Sequence, residues 1–119
     1  ILAQTEERSL PSVSALDQVR AQDIGWQFTA YELKELMKTV KDLKLMRINP
    51  GVVEPRRGEK IAYKGGAQPG VLNYTTWLET ESGDQVFITA SWNDDEVLEK
   101  DKFNRLYQQL VNLIREGTE

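Results

Sequence analysis

Hydrophobic residues recur at helical spacing in two stretches of the chain. The first stretch begins with Thr29-Ala30-Tyr31-Glu32, which matches the Thr-x-x-Glu capping box and predicts that a helix starts at Thr29. Asn49-Pro50-Gly51 predicts the end of helical structure, because proline disfavours the helical conformation in the residue before it. One face of this helix is predicted to carry Leu33, Leu36, Met37, Val40 and Leu43.

The second stretch predicts a C-terminal helix that packs across a sheet. Acidic residues from Asp94 to Asp101 suit the N-terminal end of a helix, and Gly117 stands where a C-terminal cap is expected. The apolar stripe of this helix consists of Phe103, Leu106, Tyr107, Leu110, Leu113 and Ile114.

Between these helices, three segments have the pattern of β-strands. Residues 60–64 alternate between two faces and lead into a glycine-rich turn, Val71–Glu79 is rich in β-branched and aromatic residues, and residues 85–92 form the second arm of a hairpin. The prediction is an α+β fold: a three-stranded antiparallel sheet with a preceding helix and a C-terminal helix packed on one face. Residues 1–28 are expected to be irregular or short-helical, with a possible helix at 14–22, and residues 29–119 to form one domain portion.

Composition excludes several kinds of chemistry. The 119 residues include no histidine and no cysteine, which removes disulfides, thiol nucleophiles, serine–histidine triads and nearly every zinc, copper or iron site. The acidic clusters do not match a calcium-loop spacing, so no metal and no cofactor are expected. A net charge of −4 without a long basic run argues against nucleic acid as a partner, and no apolar run approaches membrane-spanning length. Because the chain begins with Ile1, we expect a fragment or a processed product.

The strongest candidate for chemistry is the segment that starts with Lys64-Gly65-Gly66. Two glycines beside a lysine let a ligand approach the backbone closely with a cation next to it, which suits an anionic ligand. The alternative is a strand end followed by a flexible turn. No serine is followed three residues later by lysine, so the chain carries no Ser-x-x-Lys nucleophile motif.

Residues 63–73, Ser91-Trp92-Asn93 and the Phe103 helix together resemble the C-terminal part of the class A β-lactamase and penicillin-recognising serine hydrolase family. The resemblance runs from about Thr29 to the end of the chain. In that family, a Lys-Thr-Gly or Lys-Ser-Gly triplet ends the strand that borders the active site. Two antiparallel strands and a C-terminal helix follow.

The resemblance implies a role for each residue of the triplet region. Lys64 would help to hold the substrate carboxylate, Gly66 would let the substrate lie against the strand edge, and the backbone N–H of Ala67 would be an oxyanion-hole donor. Gly65 departs from the family pattern, because it replaces the hydroxyl residue of the triplet. The implied partners are the missing N-terminal half of the fold, on the same or a separate chain, and a small-molecule or peptide-like acyl substrate. The implied location is periplasmic or secreted.

Three functions are therefore open at this point. The first is the substrate-binding edge of a β-lactamase-like serine hydrolase whose nucleophile lies elsewhere. The second is a non-catalytic α+β module that binds a peptide or a partner along the Lys64 strand edge by strand addition. The third is a structural fragment without a ligand.

Overall fold

The structure, a computed structural model, describes residues 26–118. It contains helix α1 (Ala30–Val40), a short 3-10 helix (Lys44–Arg47), strands β1 (Lys60–Gln68), β2 (Val71–Glu79) and β3 (Gln85–Asn93), and helix α2 (Lys100–Thr118). The three strands form one antiparallel sheet in the order β1-β2-β3. This arrangement confirms the predicted α+β fold. The possible helix at residues 14–22, and all but the last three residues of the predicted segment 1–28, lie outside the described residues.

Helix α1 starts as its sequence predicts but ends early. The Glu32 N–H donates to Thr29 Oγ1 over 3.2 Å, and the Glu32 carboxylate accepts from the Thr29 N–H over 2.7 Å, which completes the capping box. Those hydrogen bonds lower the pKa of Glu32. The helix ends at Val40, and Leu43 is 57% exposed instead of continuing the apolar face. The reason is a turn after Lys41, which brings Met46 of the 3-10 helix against the sheet in place of Leu43.

The first hairpin turns later than the sequence pattern suggested. Gly65 and Gly66 do not form a turn: they lie inside β1, paired with Tyr74 and Asn73 of β2. The connection is the two-residue turn Pro69–Gly70, where proline presets its own φ and Gly70 takes the positive φ of 75° that a type II turn requires. Strand β1 is therefore four residues longer than predicted.

The two helices cover opposite faces of the sheet. The α2 face holds the larger core, which contains Val53, Ile61, Leu72, Tyr74, Leu78, Ile88, Phe103, Tyr107 and Val111. The α1 face holds a smaller cluster of Met37, Ala62 and Trp77, with Val40, Met46 and Phe87 packed around it. Val86, Ile88, Ala90 and Trp92 of β3 share the face that packs in the larger core.

Helix α2 packs on the sheet through a different stripe from the one predicted. Phe103 and Tyr107 are buried as expected, but the stripe continues through Val111 to Arg115 at four-residue steps. Leu106, Leu110 and Leu113 lie on another side of the helix and are exposed. Gly117 belongs to the last helical turn and does not form a C-terminal cap. Within residues 26–118, neither helix is long and apolar enough to cross a membrane.

A buried ion pair explains why a charged residue completes the packed stripe of α2. Arg115 donates from Nη2 to the Glu59 carboxylate over 2.6 Å and to the Glu54 carbonyl oxygen over 2.9 Å. Only 4% of the Arg115 side chain and 6% of the Glu59 side chain are exposed. The pair joins the end of α2 to the residue that directly precedes β1.

Candidate functional site

The candidate site is the outer edge of β1, which no other described strand pairs with. Backbone groups of an antiparallel strand point alternately to one side and the other. The Asp94 N–H donates to the Gly70 carbonyl oxygen over 2.9 Å, so the backbone of Gly70 faces β3. By alternation, Val71, Asn73 and every second residue after them face β1.

This alternation determines which groups of β1 are available. Gln68, Gly66 and Lys64 pair with the β2 residues that face β1, so their backbone groups are used within the sheet. The N–H and C=O groups of Gly65 and Ala67 therefore point outward. A hydrogen bond from Lys64 Nζ to the Gly65 carbonyl oxygen agrees with this assignment.

The four residues singled out in the sequence thus lie consecutively on one strand edge. Lys64, Gly66 and Ala67 are exposed, and Gly65 is partly buried. A side chain at Gly66 would meet no other atom within 4 Å. Lys64 forms no ion pair with any carboxylate of residues 26–118. The edge therefore combines an outward amide at Ala67, a bare stretch of backbone and an ammonium group.

Two hollows border this edge, and Gly66 and Ala67 line both of them. The first, of about 440 Å³, lies on the α1 face and has no charged side chain in its lining. Its walls are Trp26, Gln27, Phe28, Leu33, Gln68, Val71, Asn73, Ser91 and Asn93. The second, of about 510 Å³, lies beside Tyr63 and the first residue of α2, Lys100. A ligand on the edge can therefore extend to either side.

Tyr63 is part of the site, although the sequence reasoning placed it only as a strand residue. A Cβ atom at Gly65 would lie 3.0 Å from Tyr63 Cζ and closer still to its hydroxyl oxygen, so the tyrosine ring covers the glycine. The ring packs edge-on against Tyr74 at a centroid distance of 5.6 Å. Burial is the main cause that raises the pKa of Tyr63 well above its usual value. The sequence does contain a signal for this contact. Tyr63 and Gly65 are two residues apart, and residues at that spacing in a strand share a face.

Neither of the two serines in residues 26–118 forms a hydrogen bond with a lysine. Ser91 Oγ accepts a hydrogen bond from the Asn73 amide over 2.5 Å, and Ser82 Oγ donates to Asp84 in an exposed turn over 2.8 Å. No cluster of three acidic side chains able to hold a metal ion occurs in the part of the chain that the structure describes. The edge therefore presents an amide donor and an ammonium group, and no serine–lysine pair stands beside them among residues 26–118.

Comparisons of the chain with protein-family models, with curated proteins and with solved structures found no match.

Proposed function

We propose that this chain supplies the substrate-binding edge of a β-lactamase-like serine hydrolase. In this proposal, an acyl substrate lies along β1 and its carbonyl oxygen receives the outward N–H of Ala67. Lys64 attracts the negative charge of the substrate. The attacking serine and its lysine come from a segment outside these 119 residues, since the chain has no Ser-x-x-Lys motif.

The observation that carries the proposal is the direction of the Ala67 amide. An oxyanion is stabilised by fixed N–H donors, and removal of one such donor costs roughly 2.7 to 4 kcal/mol in a known hydrolase. Ala67 offers its amide from a strand that is held by pairing with β2, so the donor is fixed before a ligand arrives. The bare backbone at Gly66 leaves room for the substrate beside that donor.

The test uses the full chain and a β-lactam that carries a carboxylate, benzylpenicillin. We expect its titration to shift the backbone amide signals of Gly65 and Ala67 in NMR spectra of the labelled protein. Ala67→Pro removes the outward N–H without removing a sheet hydrogen bond, because an edge strand tolerates proline where its N–H faces outward. This variant should lose binding, whereas Ala67→Ser, which keeps the amide, should retain it.

Lys64 gives a second measure of the same proposal. Lys64→Ala should weaken penicillin binding about two- to fivefold, as expected for one exposed charge contact. Lys38→Ala removes an exposed lysine of α1 and serves as the matched control. Equal binding by wild type and Ala67→Pro would overturn the proposal.

Strand addition by a peptide is a second candidate function, favoured by the same unpaired edge. A peptide would also use the outward groups of Gly65 and Ala67, so Ala67→Pro alone does not separate the two functions. Covalent labelling does. A fluorescent penicillin should acylate a complex of this chain with a Ser-x-x-Lys polypeptide, found by mass spectrometry of co-purified proteins, if the chain belongs to a hydrolase. A peptide-binding module would leave no covalent label.

A further inference from the structure

The hollow beside Tyr63 has a distinctive combination of charge and apolar surface. We call it the Tyr63 hollow. Its only charged lining residues are Lys64 and Lys100, and it has no acidic lining residue, although the whole chain carries a net charge of −4. Neither lysine forms an ion pair with a carboxylate of residues 26–118. The other lining residues are Leu45, Met46, Asn49, Tyr63, Gly65, Gly66, Ala67 and Tyr74.

Uncharged hydrogen-bond donors stand beside the two ammonium groups. The Tyr63 hydroxyl has no hydrogen-bond partner among the described residues, and burial holds the pKa of this phenol high enough that it keeps its proton. Asn49 accepts the Gly51 N–H through Oδ1 over 2.9 Å, which leaves its NH₂ group as a donor. The polar part of the hollow therefore offers donors and positive charge.

The remaining wall is apolar. Leu45 is 77% exposed although it is a large hydrophobic residue, and it lines the hollow together with Met46 and Tyr74. A fully hydrated anion such as inorganic phosphate would leave this wall in contact with water. A ligand with an apolar group would cover it and gain free energy from the buried surface.

We propose that the Tyr63 hollow binds an amphipathic anion, namely an aromatic or aliphatic group that carries one carboxylate. The carboxylate is placed on the side of the hollow that Lys64 and Lys100 line, and the apolar group is placed against Leu45 and Met46. This inference rests on the proposed function in one respect: it names the chemical class of the ligand that lies along the same edge of β1.

The test compares two probes that differ only in charge, N-benzoylglycine and its neutral amide, N-benzoylglycinamide. Both are titrated into the full chain, and amide shifts are followed by NMR. We expect N-benzoylglycine to give saturable shifts at Asn49, Tyr63 and Lys100. The neutral amide should bind at least about fivefold more weakly, because it lacks the charge that the lysines attract. Equal binding of the two probes would overturn the proposal.

Single-residue variants test whether the ligand binds in the hollow or is only attracted by the overall charge of the protein. Lys100→Ala should weaken N-benzoylglycine binding about two- to fivefold. Lys102→Ala removes a neighbouring lysine that does not line the hollow, and it should bind like wild type. Equal losses in Lys100→Ala and Lys102→Ala would show that only the overall charge matters and would contradict the proposal. Tyr63→Phe, which keeps the ring, should reduce affinity while the spectrum shows an intact fold.

Failure here can be told apart from failure of the proposed function. If N-benzoylglycine does not bind but benzylpenicillin binding still depends on the Ala67 amide, the hollow proposal alone falls. If N-benzoylglycine binds as expected and Ala67→Pro does not affect penicillin, the hollow is a site in its own right and the hydrolase proposal falls.

Discussion

The two halves of β1 have the same partner but opposite surroundings. Residues 60–68 all pair with β2 in one continuous register. In the first half, residues 60–63, Ile61 is 6% exposed and Ala62 is fully buried. In the second half, residues 64–68, every residue except Gly65 is exposed. Strand pairing alone therefore does not determine how accessible a strand is.

The difference arises from what each half contacts beyond the sheet. The first half is flanked by the Glu59–Arg115 pair and covered by Met37 and Met46 on the α1 face. The second half is held by β2, by the turn after Gln68 and by the Tyr63 ring over Gly65. Apart from the Gly65 carbonyl oxygen, which accepts from Lys64 Nζ, the outward backbone groups of Gly65 and Ala67 are not used by the packing.

Breaking the ion pair beside the covered half should have the largest effect on stability. Glu59→Gln keeps the shape of the side chain but removes the Glu59 carboxylate from the buried Arg115 charge. We expect the free energy of unfolding to fall by about 3 kcal/mol or more, as when one partner of a buried pair is removed. Urea denaturation followed by tryptophan fluorescence measures this change.

Glu79→Gln is the matched control. Glu79 also forms an ion pair, but its partner is Lys60, whose side chain is 56% exposed. This exposed pair should contribute no more than about 1 kcal/mol. Equal losses of stability in Glu59→Gln and Glu79→Gln would contradict the prediction that the buried Glu59–Arg115 pair stabilises the fold more than the exposed Lys60–Glu79 pair does.

At the open half, Gly65→Ala should have an intermediate effect. The added methyl group must displace the Tyr63 ring, which packs on Tyr74, and overpacking of this kind costs roughly 1 to 3 kcal/mol. The loss should shrink in the double variant with Tyr63→Phe, because the hydroxyl oxygen is the closest atom to the new methyl group.

Gly66→Ala is the control within the same half, since nothing lies within 4 Å of its Cβ position. Its stability should stay within about 0.5 kcal/mol of wild type. A loss at Gly66 as large as the loss at Gly65 would mean that the backbone, rather than the Tyr63 ring, requires glycine there.

Apart from the two control variants, the smallest expected loss of stability lies under the point where the two halves of β1 meet. Tyr107 donates from its hydroxyl to Thr76 Oγ1 over 2.7 Å, and Thr76 pairs with Tyr63. Tyr107→Phe should reduce the free energy of unfolding by about 1 kcal/mol at neutral pH, because a buried hydrogen bond is lost.

The pH dependence of stability gives this residue a second readout. Burial raises the pKa of Tyr107 from 10.0 to about 12, although its hydrogen bond with Thr76 acts in the opposite direction. A raised pKa means that the folded state holds the proton more tightly, so its contribution is complete below pH 10 and is lost as the pH rises to about 12. Tyr107→Phe should lose less stability than wild type over this interval. An unchanged slope would contradict the burial of the hydroxyl.

Most of the fold could be predicted because its signals are local. The Thr29 capping box depends on residues three apart, and the strand patterns of β2 and β3 depend on alternate residues. Features that depend on distant parts of the chain could not be predicted. Arg115 and Glu59 are far apart in sequence, so nothing near Arg115 indicated that α2 would bury a charge in place of Leu106 or Leu113.

The candidate site remains a prediction, and only its backbone can be compared with the sequence pattern. That pattern predicts a glycine-rich turn directly after Lys64, whereas Gly65 and Gly66 lie inside β1 and the turn is Pro69–Gly70. The exposure of the edge depends on the final strand order, which no local pattern contains. The resemblance to β-lactamases remains a prediction.

The Pro69–Gly70 turn also has a consequence for any attempt to lengthen this hairpin. Its two residues set the pairing register of β1 with β2. A one-residue insertion that shifted β1 by one position would exchange the outward amides of Gly65 and Ala67 for those of Gly66 and Gln68. The same shift would move the Tyr63 side chain to the other face of the sheet. A two-residue insertion at this turn should therefore preserve the outward amides that a ligand would bind, whereas a one-residue insertion should not.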